Sequence, residues 1–436
     1  MFGNSGNSGL IKTTSHKVVL PFYVYAAISF LTATGLMLFN TPAFLQHYFH
    51  PHTLAITHIM ALGWGTMIIL GASHQLVPVL IDGKLYSDSM ALISFVFASL
   101  GIPMLVYGFF EFNIGWPAQW GGSLVVGSVF IYLLNLSISI LKSKKGNVHV
   151  VFVFTAAVWL LITTSVGLLL VFNFSSPFLP RNSLTYLPLH AHLGIAGWFL
   201  LLIMGVGSRL IPMFLISKYD NTRLLWWIYG LVNGGVLCFA FGFLFNQNNY
   251  VLLVPIAAVF SAILLFIFYC REAYSQRIRR KVDEQMKVSL LSVMMILIPI
   301  VILLIVIISL LVHSEQATSL VLMYGFAIFF GWITAIILGM TFKTLPFIVW
   351  NKIYHHHAGT GKTPNPKDLF SDSAFKYMSI AYLGGLILFS MGIVTEISIL
   401  LQVGAIFLLI TAILYNWNVI RTVMHKPVFY EYNNQQ

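Results

Sequence analysis

The chain has 436 residues, of which 58% are hydrophobic and only 8% are charged, and its mean hydropathy is +0.88. Soluble globular domains carry about 25% charged residues, so this composition excludes a soluble enzyme and indicates a polytopic membrane protein. The net charge of +11 is then explained by membrane topology and does not indicate a nucleic-acid partner.

Twelve runs of about 20 apolar residues, each long enough to span a bilayer, follow one another along the chain. The predicted spans are 18–40, 53–81, 88–110, 119–141, 150–173, 185–216, 223–245, 250–270, 287–312, 317–350, 374–395 and 398–420. They predict an all-α polytopic membrane protein with twelve transmembrane helices. Residues 1–17, which are rich in Gly, Asn and Ser and lack a secretory cleavage site, and residues 423–436 are predicted to be cytoplasmic tails.

The Lys and Arg residues fall almost entirely on one side of the membrane if the N-terminus is cytoplasmic. Of the 23 Lys and Arg residues, only Arg181 then lies on the outer side. Because basic loops stay on the cytoplasmic side, this bias predicts that both termini are cytoplasmic. It also predicts a bacterial-type inner membrane, with the basic loops lying against anionic membrane lipid.

One motif recurs in the second, sixth and tenth spans. Each copy has Gly-Trp, a Gly seven residues after the Trp and a Pro fourteen residues after it. The tryptophans are Trp64, Trp198 and Trp332, so both intervals are 134 residues. Twelve spans and three copies predict three parallel four-helix units, related by a pseudo-threefold axis along the membrane normal. The predicted units are about 18–145, 146–285 and 286–422, within a single membrane domain over 18–422.

Two of the three marked helices carry a histidine six residues before the Trp. These histidines are His58 and His192, and the third helix has Phe326 in that position. A buried imidazole without a partner is costly, and binding iron or copper makes use of it. The matched positions therefore favour His58 and His192 as haem or metal ligands.

His190 is a further candidate ligand, and its position in the third copy is occupied by Tyr324. Since His190 and His192 are two residues apart, they point about 200° from each other on a helix and cannot face the same metal. His74 lies about 24 Å from His58 along the same helix. It is therefore either a ligand of a separate, cytoplasmic-side site or a core histidine. The remaining predicted cofactor-binding residues are Trp64 and Trp198, as walls of a haem pocket, and Tyr324, as a phenol facing a bound ligand.

This arrangement resembles subunit I of the haem–copper oxidase superfamily, which includes cytochrome c oxidases and nitric oxide reductases. That family has twelve helices, cytoplasmic termini, three four-helix units and ligands on helices two, six and ten. His58 stands where the family has its low-spin haem ligand, and His190 or His192 where it has a copper ligand. The pattern His-Ala-His…Gly-Trp…Gly…Pro is also similar to the NnrS family, haem- and copper-containing membrane proteins linked to the nitric oxide response.

The chain departs from the oxidase pattern at several ligand positions. The seventh span has no histidine, and the tenth has Tyr324-Gly-Phe326 where the family has His-x-His. The tyrosine four residues after the sixth-helix ligand is replaced by Gly194 or Ala196. Carboxylates within the membrane, which a proton path needs, are also missing. We therefore expect neither proton pumping nor four-electron reduction of oxygen by this chain.

The resemblance implies haem b as a cofactor and copper as a second metal. No Cys-x-x-Cys-His motif occurs, so a haem would be held without covalent bonds. Three functions follow as hypotheses: respiratory redox chemistry or a nitric oxide response with NO or O2 as ligand, a non-catalytic haem-binding, gas-binding or assembly protein, and a transporter on the same scaffold. The sequence does not identify the electron donor.

Overall fold

A computed structural model of the chain describes residues 14–143, 146–245, 252–313, 318–355 and 363–427. Within these ranges the chain is almost entirely helical, and twelve helices are long and apolar enough to cross a membrane. They are α1 His16–Phe39, α2 Pro51–Leu80, α3 Asp88–Phe110, α4 Trp116–Leu141, α5 Val148–Ser175, α6 Ser183–Leu215, α7 Thr222–Phe245, α8 Leu253–Ser275, α9 Glu284–Val312, α10 Thr318–Tyr354, α11 Asp372–Thr395 and α12 Ser398–Val423. The predicted all-α fold and its twelve spans are confirmed.

Several helices begin at a polar residue that the hydropathy pattern had left outside the span. The side chain of Ser15 accepts a hydrogen bond from the backbone N–H of Lys17 at the start of α1, and Asn147 does the same for Val150 in α5. Such caps satisfy backbone donors that have no partner within the helix. They explain why these helices start about two residues before the apolar runs.

The helices α2, α6 and α10 are the longest of the bundle, with 30, 33 and 37 residues. Each is longer than the roughly 20 residues that cross a bilayer. Each contains a π-helical segment that starts directly after His58, His192 or Phe326, so these segments also recur every 134 residues. The segments are Ile59–Thr66, Leu193–Leu200 and Ala327–Ile333. A π-helical turn carries an extra residue and frequently marks a functional site.

The motif tryptophans link the three long helices to one another. Trp64 Nε1 donates to Thr334 Oγ1 at 3.1 Å, and Trp198 Nε1 donates to Thr66 Oγ1 at 3.1 Å. Each threonine lies two residues after the tryptophan of its own helix. The residue equivalent to these threonines in α6 is Leu200, whose side chain cannot accept a hydrogen bond from Trp332. Two of the three motif tryptophans therefore each donate a hydrogen bond to a threonine of another long helix.

The motif glycines allow the first helix of each predicted unit to approach its second helix closely. A Cβ added at Gly71 would lie 2.7 Å from Phe22 Cβ on α1, and one added at Gly205 would lie 2.3 Å from Phe152 Cβ on α5. A Cβ added at Gly339 would come equally close to residues of α9. A larger residue would force these helices apart, as is usual for small residues at helix contacts in membranes.

The seams between the predicted units are not equally tight. α4 packs along α5, and α12 packs along α1, but α8 makes only sparse contact with α9. α9 is interrupted at Ile296, three residues before Pro299. Because proline lacks an N–H and clashes with the carbonyl four residues earlier, it bends a helix. We call the gap between α8 and α9 the open seam.

Candidate functional site

A cavity of about 720 Å³ lies among α2, α6 and α10, next to the π-helical segments. Its volume falls within the range of about 300–1,000 Å³ that is usual for cofactor and small-molecule sites. Most lining side chains are apolar, but His58, His190, His192 and Tyr324 also face the cavity. These four residues form two pairs: the first pair is His58 with His190, and the second pair is His192 with Tyr324.

Both imidazoles of the first pair are anchored through Nδ1. His58 Nδ1 lies 2.8 Å from the carbonyl oxygen of Leu54, and His190 Nδ1 lies 3.1 Å from that of Thr163. A carbonyl oxygen can only accept a hydrogen bond, so in each neutral ring the hydrogen is on Nδ1. The lone pair is then on Nε2. This is the tautomer of a metal-binding histidine whose other nitrogen is held by the protein.

The two rings of the first pair lie opposite each other at a separation that suits one metal ion. Their centroids are 6.3 Å apart, and their planes differ by 13°. Two imidazoles bound on opposite sides of one ion, with bonds of about 2.0 Å, have centroids roughly 6 Å apart. The centroid separation of the first pair therefore suits two imidazoles that would hold one metal ion.

Neighbouring residues hold these rings in place. The ring of Phe109 on α3 lies 4.5 Å from that of His58, centroid to centroid. On the other side, Gly167 on α5 leaves the space that His190 occupies, because an added Cβ would lie 2.7 Å from His190 Cε1. The sequence alone gave no signal for Gly167, since it belongs to no motif.

The second pair is built on the same plan with one imidazole replaced by a phenol. His192 Nδ1 lies 2.8 Å from the carbonyl oxygen of Pro188, so its hydrogen is also on Nδ1. Its Nε2 lies 3.3 Å from the hydroxyl of Tyr324. The two rings are nearly parallel, with centroids 5.8 Å apart, and Phe239 contacts the histidine from α7.

Each pair joins two different positions of the repeat. His58 and His192 are equivalent positions, as are His190 and Tyr324. The third interface of this kind would join Phe326 to Ile56, and Phe326 packs instead against Phe389, with centroids 4.7 Å apart. The equivalent residues His58 and His192 therefore lie in separate pairs and not together.

The remaining candidates from the sequence are spread over the bundle. Trp198 lines the cavity, whereas Trp64 packs away from it against Phe30, with centroids 4.6 Å apart. His74 is only 1% exposed, and neither of its ring nitrogens has a hydrogen-bond partner in the described residues. Its ring contacts Phe22, with centroids 5.2 Å apart. The structure thus places His74 in the packed core, well away from both pairs.

The histidines just before α2 have the opposite tautomer from those at the cavity. His50 Nδ1 accepts from the backbone N–H of His52, and His47 Nδ1 accepts from that of Phe49. In the neutral rings of His47 and His50 the hydrogen is therefore on Nε2. Burial and the neighbouring His52 lower the pKa of His50 below its usual value. These residues serve as helix and turn caps in the structure.

Arg181 also lines the cavity. In the sequence it stood out only as the one basic residue predicted on the outer side. It precedes α6 and contributes to the wall of the cavity from an exposed position. A guanidinium there attracts carboxylates through bidentate hydrogen bonds.

No group of three or more His, Cys, Asp or Glu residues in the described ranges is arranged to hold a metal ion. The second pair supplies one imidazole and one phenol, which is a poor donor set for copper. No known family model matches the chain, and no curated protein matches it either. The function must therefore be inferred from the cavity and its side chains.

Proposed function

We propose that this chain is an integral membrane haem protein that holds one haem b between His58 and His190. The observation that carries the proposal is the first pair itself: the ring centroids of its two imidazoles are 6.3 Å apart, and both Nδ1 atoms are bonded to backbone carbonyls. When bound, the haem iron supplies reversible one-electron transfer.

The surroundings of the first pair also suit a haem. The apolar walls of the 720 Å³ cavity match a flat, apolar ring, and propionates need a polar exit. Arg181 offers that exit at the end where α6 begins. The ring would be held without covalent bonds, because the chain has no Cys-x-x-Cys-His motif.

The two-imidazole arrangement favours electron transfer over chemistry on a gas. If His58 and His190 both held the haem, the group would supply electron transfer and would offer no free position for NO or O2. The favoured function is therefore a non-pumping, electron-transferring or haem-storing membrane protein. Copper is not part of this proposal, because the second pair offers too few suitable donors.

The topology of the proposal follows from the basic residues. We propose a bacterial-type inner membrane with both termini in the cytoplasm, so that the first pair and Arg181 lie in the outer half of the bilayer. An electron donor or acceptor would then approach from the outer surface or from the bilayer, and its identity is open to direct measurement.

The test is a visible spectrum of the protein purified from a haem-producing host. We expect a Soret band, sharp α and β bands on reduction, and one haem b per chain in a pyridine haemochrome assay. Addition of NO should leave the reduced spectrum largely unchanged. A purified protein without a Soret band, under conditions in which a control cytochrome is fully loaded, would falsify the proposal.

The cavity itself favours a second candidate function, a transporter on this scaffold. Its size fits a small solute, and it extends between several helices. A transporter is expected to bind and move a solute without haem. The absence of a Soret band together with solute uptake into reconstituted vesicles would support it.

A further inference from the structure

The second pair has no role in the proposed haem site. His192 and Tyr324 make their hydrogen bond and ring contact with each other, away from His58 and His190. Burying an imidazole and a phenol in a membrane bundle is unfavourable unless both are used. Both residues also face the cavity, so a bound molecule can reach their polar atoms.

The polar atoms of the second pair have complementary roles. His192 Nε2 carries a lone pair and accepts, because the hydrogen of this ring is on Nδ1. The hydroxyl of Tyr324 both donates and accepts. In the structure the Tyr324 hydroxyl donates to His192 Nε2. A ligand that enters between them replaces this bond, because its hydroxyl can donate to His192 or its carbonyl can accept from Tyr324. The rings of Phe239 and Phe243 on α7 supply apolar surface beside them.

The cavity continues from the second pair to the open seam. Pro255 and Val259 on α8 line it on one side, and Leu303 and Ile307 on α9 line it on the other. These residues are all apolar. Because α8 and α9 make only sparse contact, the open seam is the side from which a molecule dissolved in the bilayer would reach the second pair.

We propose that the second pair binds the ring of a lipid-soluble quinone or hydroquinone, which enters from the bilayer through the open seam. A quinone carbonyl accepts from the Tyr324 hydroxyl, and a hydroquinone hydroxyl donates to His192 Nε2. The aliphatic tail lies in the seam. A diatomic gas would not need this donor and acceptor pair, and a phospholipid head group would bring charges that neither His192 nor Tyr324 neutralises.

The proposal does not depend on haem, so it can be tested separately. The probe is decylubiquinone, titrated into the full chain in lipid nanodiscs, and a tail-matched decylbenzene without oxygen atoms is the comparison. We expect saturable binding of decylubiquinone only. His58→Ala, which should remove haem, should leave quinone binding within about twofold. Failure of the haem proposal and failure of the quinone proposal therefore give different results.

Two matched sets of variants locate the site and the path. Tyr324→Phe removes the hydroxyl and His192→Phe removes both ring nitrogens, and each variant should weaken decylubiquinone binding by about tenfold or more. Leu303→Trp should block the cavity side of α9, whereas Leu304→Trp on its lipid-facing side should have no effect. Tyr324→Phe is conservative and keeps the test valid if His192→Phe does not fold. The proposal is overturned if the chain binds both probes alike, or if these cavity variants bind decylubiquinone as the wild type does.

Discussion

The first pair and the second pair are two versions of one interface, and they differ in a single residue. His190 and Tyr324 hold the same position in successive repeats, and each faces a histidine of the preceding repeat. Two imidazoles provide two strong ligands for iron, whereas an imidazole and a phenol provide a hydrogen-bond acceptor and donor. One substitution at an equivalent position thus separates the proposed haem site from the proposed quinone site.

The packing around the first pair is closer than the packing around the second pair. The first pair lies beside the closely packed seam between α4 and α5, and Gly167 fits tightly against His190. The second pair lies near the open seam, and Gly325, next to Tyr324, has no atom within 4 Å of an added Cβ. A cofactor that stays bound suits an enclosed site, and a ligand that exchanges with the bilayer suits an open one.

The largest expected effect is the loss of haem when the first pair is broken. His58→Ala and His190→Ala should each lower the haem content more than about tenfold. Loss of a residue that only supports a metal ligand already lowers metal affinity about 10–100-fold, and these two histidines would hold the iron themselves. The measurement is haem per chain by pyridine haemochrome. His192→Ala is the matched control and should keep the Soret band. Loss of haem in His192→Ala with retention in His190→Ala would reverse the roles assigned to the two pairs.

A second prediction converts the second pair into a copy of the first. Tyr324→His places an imidazole at the position equivalent to His190, so that two imidazoles face each other at the second interface. The haem-loaded variant should bind one additional Cu²⁺ at least about tenfold more tightly than the wild type, since copper prefers imidazole donors. Titration calorimetry measures this gain, and the double variant with His192→Ala should lose it. Equal copper binding by wild type and Tyr324→His would contradict the equivalence of the two interfaces.

The parts of this site that the sequence predicts are those encoded by position along one helix. The twelve spans follow from apolar run length, and the constant interval of the tryptophans predicts three related long helices. The pairing of His58 with His190 does not follow, because it depends on which faces of the helices meet. The π-helical segments have no distinctive amino-acid composition by which they could be predicted, and Gly167 lies outside every motif. The sequence shows Pro299, which accounts for the interruption of α9, but the sparse contact between α8 and α9 depends on how the helices pack.

A third prediction compares the two glycines beside the pairs. In Gly167→Ala the new methyl group would lie 2.7 Å from His190 Cε1. The His190 imidazole would then have to move from the position in which it would hold the haem. We expect about tenfold weaker haem binding, measured by titration of haem into the apoprotein. Gly325→Ala is the matched control and should bind haem as the wild type does. If both variants bound haem normally, the position of His190 would not be set by Gly167.

The smallest expected effect concerns Arg181, which lies at the mouth of the cavity. Arg181→Gln removes a charge that pairs with haem propionates in the proposed site, but the residue is exposed, and exposed ion pairs contribute only about 0.2–1 kcal/mol. Haem should therefore dissociate no more than about fivefold faster, measured by its transfer to an excess of a haem-free globin. Because salt screens exposed charges, the difference from the wild type should shrink as ionic strength rises. Arg223→Gln, an exposed cation at the opposite end of the bundle, should dissociate haem at the wild-type rate. A salt-independent effect of Arg181→Gln would show that the residue acts through packing and not through its charge.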